Sequence, residues 1–198
     1  MPERVIAFVN RKGGVGKTTS AAYAAMCFFS ARQAVTCLDA DPDRSLIKWH
    51  DDGHLPFDVR EVDRRELQRQ VGALEGTVII DTPPNDPEII YDIGDLADEL
   101  IVPLSPTGLD INRLATTLRS IERVEKIRGK PLSSILLVRW SRRQRVSREV
   151  KEALETANLP LLENSIRDLT VYKGFVTPTY LDEYRAVLAE LGMEGLGA

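Results

Sequence analysis

Cysteine and histidine are both scarce in this chain. Cys27 and Cys37 are the two cysteines in 198 residues. They fall in apolar surroundings on a predicted helix and a predicted strand, so each reads as a small buried hydrophobe and not as a disulfide partner. His50 and His54 are four apart, but Gly53 between them would break a shared helix, which argues against a metal pair. No run approaches the ~20 apolar residues of a membrane-spanning helix. Met1-Pro2-Glu3-Arg4 leads straight into an apolar strand-like segment, which leaves no room for a signal peptide. These absences point to a cytoplasmic protein. The sequence has no internal repeat, low-complexity tract or linker, so residues 1–198 read as one α/β domain with a well-buried core. The formal net charge of −4 does not by itself mark a nucleic-acid binder.

What the chain does have is alternation. Apolar strand-like runs at about 4–10, 34–40, 57–62, 77–82, 99–104, 133–139 and 160–164 are separated by helix-like runs near 17–31, 43–51, 64–74, 88–96, 110–128, 146–157 and 178–191. This order predicts an α/β fold: a doubly wound, mostly parallel sheet with helices on both faces. Val78-Ile79-Ile80 and Ile135-Leu136-Leu137-Val138 are continuously apolar, as strands covered on both faces are. The 110–128 helix has the clearest period. Ile111, Leu114, Leu118, Ile121, Val124 and Ile127 form its stripe, Asp110 is the expected N-cap, and Gly129 stops it before Pro131.

Between the first strand and the first helix lies Val9-Asn10-Arg11-Lys12-Gly13-Gly14-Val15-Gly16-Lys17-Thr18-Thr19. Gly13, Gly14 and Gly16 let the backbone curl its N–H groups inward as an anion nest, and the helix that follows adds the positive end of its dipole. Lys17 is placed to reach β- and γ-phosphates, and the Thr18 hydroxyl to ligate Mg²⁺. Lys12, Gly13, Gly14, Val15, Gly16, Lys17, Thr18 and Thr19 are therefore the candidate nucleotide-binding set. The plain P-loop pattern wants glycine five residues before Gly16, where this chain has Arg11.

The variant found here, Lys-Gly-Gly-x-Gly-Lys-Thr-Thr, resembles the deviant Walker A motif of P-loop NTPases. That family includes ParA-type partition ATPases, MinD, the arsenite-pump ATPase and the nitrogenase iron protein. The resemblance implies that Lys12 crosses a homodimer interface to the partner's nucleotide, and that the ligands are ATP and Mg²⁺. A cluster-ligating cysteine like that of the iron protein would lie near or after the middle of the chain, and none exists beyond Cys37. Two acidic segments continue the resemblance. Asp39 and Asp41, in Leu38-Asp39-Ala40-Asp41-Pro42, are two apart at a strand end and so point to one side. The family match makes Asp41 the group that orients the attacking water and Asp39 a contributor to the Mg²⁺ shell. Asp81, in Val78-Ile79-Ile80-Asp81-Thr82-Pro83-Pro84, has the Walker B arrangement and the same expected metal role. Lys12, Lys17 and Asp41 are the expected catalytic residues. Pro103-x-x-Pro106 with Asp110 matches a family loop near the nucleotide and the dimer contact. One departure concerns the base: relatives often carry Asn-Arg after the sixth strand, and this chain reads Val138-Arg139-Trp140.

Charge distribution suggests a second surface. Residues 139–151 carry Arg139, Arg142, Arg143, Arg145, Arg148 and Lys151 against a single Glu149. The arginines are the candidate contacts to DNA phosphates, sequence-independent and salt-sensitive, with Arg167 and Lys173 as secondary candidates. The alternative is a solvated basic loop paired with the acidic run 152–155. With the resemblance, these features imply a small ParA-type DNA-segregation ATPase. It would be nucleoid-associated in the cytoplasm and slow in turnover. A small centromere-binding or activator protein would stimulate it. Two other readings stay open. A MinD-like ATPase acting at a membrane would want a basic amphipathic carboxyl-terminal helix, whereas 180–191 has an acidic polar face. A metabolic or cofactor-maturation enzyme on the same scaffold would want a dedicated small-molecule pocket.

Overall fold

The structure is a computed structural model that describes residues 1–106, 111–129, 132–174 and 176–196, with the backbone alone for 111–113. The expected Asp110 cap and Pro131 stop lie outside the described residues. Six strands, β1 (Arg4–Phe8), β2 (Val35–Asp39), β3 (Asp58–Glu61), β4 (Thr77–Asp81), β5 (Glu99–Leu104) and β6 (Ser133–Leu137), form one sheet. Its order is β3-β2-β4-β1-β5-β6, and every pairing is parallel. Connections leave β1 toward one edge and return through β4 to the other, so helices fall on both faces. α1 (Lys17–Ser30), α2 (Ser45–Asp51) and α7 (Asp182–Glu190) cover one face, and α3 (Leu67–Gly72), α4 (Glu88–Gly94), α5 (Ile111–Arg128) and α6 (Arg145–Thr156) the other.

The continuous apolar strands divide between these layers by their period of two. Ile6, Phe8 and Ile79 pack with α1 and α7, while Val5, Ala7, Val78 and Ile80 pack with α4 and α5. α1 is buried nearly all round, from Ser20 to Phe28, because sheet, α2 and α7 enclose it. Cys27 and Cys37 lie in this layer, fully buried, as expected of small hydrophobes. At the α4–α5 crossing a Cβ on Gly94 would overlap Cγ1 of Val124, so the two helices meet there backbone to side chain.

Two expectations from periodicity fail. Ile127 is 80% exposed although Leu114, Ile121 and Val124 are buried. Two successive three-residue steps beyond Ile121 rotate the side chain about 120° off the buried stripe. The 160–164 run is not a strand. Its pairing with β6 is limited to a bridge from Ile135 to Leu161, and a second isolated bridge joins Trp140, beyond the end of β6, to Arg167. Between these bridges the N–H groups of Glu163 and Asn164 donate to the Glu190 carboxylate, so a helix side chain takes the place of a strand partner.

Because all strands run the same way, their carboxyl ends share one edge. The β2–β4 register sets Asp39 directly beside Asp81 there, next to the loop that follows β1.

Candidate nucleotide site

The loop after β1 turns on two glycines. Gly14 has φ 72° and Gly16 φ 90°, left-handed values that side-chain-bearing residues rarely hold. Gly13 has neither a positive φ nor a crowded Cβ position; its nearest neighbour would be Pro84 at an ordinary 3.7 Å. Gly16 stands at the start of α1 and offers no capping side chain, so the first N–H groups of the helix face outward. Asn10, which the sequence reading passed over, braces the loop. It is buried, its Nδ2 donates to the Pro103 carbonyl at 2.8 Å, and its Oδ1 accepts from the Lys12 N–H at 2.9 Å. The end of β5 is thereby tied to the phosphate-type loop, which gives Pro103 a physical role.

Three carboxylates and one ammonium group converge beneath this loop. Thr18 Oγ1 donates to Asp81 Oδ2 at 2.6 Å. The other oxygen of Asp81 is buried without a hydrogen-bond partner. Burial pushes the Asp81 carboxyl up to about 7, with Asp39 adding to the rise and Thr18 and Lys17 opposing it. Lys17 is 6% exposed, and its Nζ donates to the Lys12 carbonyl at 3.3 Å. Burial lowers its pKa, against the pull of Asp81 and Asp41. A buried carboxylate oxygen with an open valence beside a hydroxyl suits a hard divalent cation, which takes oxygen ligands.

Asp39 is differently placed from that pair. Its Oδ1 accepts from the Asp41 N–H at 3.1 Å, and its Oδ2 accepts from Leu46 N–H at 3.0 Å and Ile47 N–H at 3.1 Å. Both oxygens are thus engaged by backbone, holding the turn that carries Asp41 and the start of α2. Asp41 is half-buried at the rim and close enough to act on the charge of Lys17. Lys12 is half-buried on the loop itself.

At Thr19, in the first turn of α1, lies a cleft of about 580 Å³. Thr19, Arg139, Asp168, Tyr172 and Lys173 line it. Arg139 therefore stands apart from the basic group it was assigned to in sequence, and Lys173 faces this cleft paired with Asp168 at 2.9 Å. Arg142, Arg143 and Arg148 remain together and exposed at the start of α6, with an Arg148 Nη1 donating to the Arg142 carbonyl at 2.8 Å. Arg145 is paired with Glu149 at 2.6 Å. Trp140 packs against the α5–α6 layer with Lys151 over its ring.

The profile of the CobQ/CobB/MinD/ParA nucleotide binding domain matches residues 6–173. A maintenance of carboxysome distribution protein A from Gloeobacter kilaueensis is 39% identical over 121 residues, covering 58% of this chain and 55% of that protein. The match thus spans about half the length of that relative. A protein ParA from Rhizobium radiobacter is 27% identical over 179 residues, 86% of this chain and 81% of the relative. Among solved structures, cobyrinic acid a,c-diamide synthase from Mycobacterium smegmatis with bound ADP and magnesium shares the fold. Its TM-score is 0.73 at 22% identity, over 97% of this chain and 96% of that one.

Proposed function

The chain belongs to the CobQ/CobB/MinD/ParA nucleotide-binding family, and from that premise we propose that it is a Mg²⁺- and ATP-dependent dimerising ATPase that positions or segregates DNA. The observation that carries the reading is the Thr18–Asp81 pair, at 2.6 Å, beneath a loop held left-handed at Gly14 and Gly16. Residues 13–19 hold the triphosphate through backbone N–H groups, and Lys17 neutralises its γ end. Thr18 and Asp81 hold Mg²⁺, which when bound with ATP offsets charge on the β- and γ-phosphates. Asp41 orients water, and Asp39 fixes the turn from which Asp41 projects. The nucleoside lies in the cleft lined by Thr19, Arg139 and Tyr172, which adjoins the first turn of α1 where the phosphates are held.

Lys12 completes the site of a second copy, so ATP binding and dimerisation are linked. DNA lies along Arg142, Arg143 and Arg148, with Arg145 a lesser contributor because Glu149 already offsets it. The place of action is the nucleoid, and a small activator protein accelerates a slow hydrolysis. No helix among the described residues is long and apolar enough to cross a membrane, and α7 begins with the exposed Asp182, which anionic lipid would repel.

A second reading concerns the cargo. The similarity to a carboxysome distribution protein favours a protein assembly as the body that is moved, with DNA as the surface it is moved over. The DNA contact that both readings share is tested by measuring retention of the chain on non-specific DNA with ATP, with ADP and without nucleotide. Retention only with ATP is expected. Equal retention in all three states refutes the nucleotide-gated reading, and no retention in any state removes DNA from the mechanism.

A further inference from the structure

The outer wall of the cleft beside the phosphate-type loop is the segment 166–173. It holds only one 3-10 turn, Thr170–Tyr172, so regular secondary structure does little to fix it. Against β6 and its extension it has three backbone bonds. Ile166 N–H donates to the Leu137 carbonyl at 2.8 Å, Trp140 N–H to the Ile166 carbonyl at 2.9 Å, and Asp168 N–H to the Trp140 carbonyl at 3.1 Å. On its far side a carboxylate holds the wall at three donors. Glu183, in the first turn of α7, has a side chain only 12% exposed. It accepts from the Arg167 backbone N–H at 3.0 Å, from Arg167 Nε, and from the Tyr172 hydroxyl at 2.9 Å.

Three donors on one nearly buried carboxylate make a charge-assisted hub, with the half-exposed Arg167 side chain as its solvent-facing arm. Its effects spread along the wall. Arg167, turned toward Glu183, also donates to the Tyr180 hydroxyl at 2.9 Å. Tyr172, held by the same carboxylate, packs its ring edge-on against Tyr23 of α1, centroids 5.0 Å apart. Tyr23 in turn donates to the Val171 carbonyl at 2.6 Å. Tyr172 therefore presents to the cleft from a position set by α1, the helix that starts at the phosphate-type loop, and by α7. Glu183 itself does not line the cleft.

We propose that Glu183 is a positioning residue for nucleotide binding: by clamping Arg167 and Tyr172 it holds the 166–173 wall where the nucleoside half of the ligand packs, without touching the phosphates. The inference rests on the reading of residues 13–19 as the phosphate site. It predicts that loss of the clamp is felt by a nucleotide and not by a ligand made of phosphate alone.

The test is calorimetric titration of the full chain, with Mg²⁺ present, using ATP and inorganic tripolyphosphate as separate probes. In Glu183→Gln the neutral amide keeps the size but loses the charge that the guanidinium needs. Affinity for ATP should fall about tenfold, the scale of a lost charge-assisted bond, while affinity for tripolyphosphate should change less than about twofold. Tyr172→Phe, which removes one of the three donors and keeps the ring, should give a smaller loss of the same selectivity, and it decides the matter if Glu183→Gln does not fold. Equal weakening of both probes, or no weakening of either, overturns the role of Glu183 while leaving the phosphate site standing. A wild-type chain that binds neither probe overturns the phosphate-site reading itself, and the inference with it.

Discussion

The Thr18 hydroxyl donates to Asp81 Oδ2 at 2.6 Å, joining the first turn of α1 to the carboxyl end of β4 across 63 residues of sequence. The bond leaves the second oxygen of Asp81 buried and without a partner. A buried, half-satisfied carboxylate is costly unless something completes it, and this asymmetry sets the first prediction. Asp81→Asn keeps the bond to Thr18 but removes the charge. Nucleotide affinity measured with Mg²⁺ should fall about 10- to 100-fold, the range for losing a group that supports a metal. Affinity measured in excess chelator should hardly move. An equal loss under both conditions would show that Asp81 shapes the loop and holds no cation.

Lys12→Ala separates binding from assembly. Asn10 braces the loop through the Pro103 carbonyl and the Lys12 backbone N–H, and both bonds survive truncation of the Lys12 side chain. ATP binding should therefore persist within about threefold, a change under 1 kcal/mol. Sedimentation velocity should show that the ATP-dependent dimer is lost. A variant that dimerises normally with ATP rules out the crossed-lysine role.

The basic residues should split into two classes. Replacing Arg142, Arg143 and Arg148 together by alanine should weaken DNA retention and flatten its dependence on salt. The slope of log K against log salt should drop by up to about 3, near one per lost phosphate contact. Arg139→Ala should leave that slope alone and weaken ATP binding instead, because Arg139 lines the cleft beside Thr19. If Arg139→Ala shifts the salt slope as much as one of the other arginines, the cleft assignment of Arg139 is wrong.

Gly94→Ala tests the packing of α4 on α5. Its new methyl would overlap Val124, a β-branched side chain with little freedom to turn away. A destabilisation of about 2 kcal/mol is expected, roughly 5 °C in Tm for a domain of this size. Adding Val124→Ala should recover part of it by making room. Thermal unfolding of the two variants decides, and an unchanged Tm for Gly94→Ala would mean that the helices separate at no cost.

Much of this was legible along the chain, for identifiable reasons. Local chemistry is enough to place a glycine-rich turn between a strand and a helix, and strands covered on both faces are continuously apolar whatever their neighbours. The same local signals misled at the sheet edge. The run at 160–164 has the composition of a strand, but Glu190, far along the chain, takes its N–H groups at Glu163 and Asn164. Ile127 satisfies a three-or-four spacing and still faces solvent, because spacing alone does not say where a helix leaves the core.

By itself the order of residues determined the parallel α/β architecture, the loop at 10–19 and the acidic strand ends. Each follows from periodicity, backbone freedom or charge over a few neighbouring positions. Only the tertiary structure decided how those acids divide their work. The β2–β4 register puts Asp39 beside Asp81, yet the Asp41 N–H and the start of α2 take both oxygens of Asp39 while Asp81 keeps one open. It also decided that Arg139 belongs to the cleft, and that a glutamate in the last helix clamps the cleft's wall. Hydrogen-bond competition and long-range proximity settle such matters, and neither is written in any short stretch of sequence.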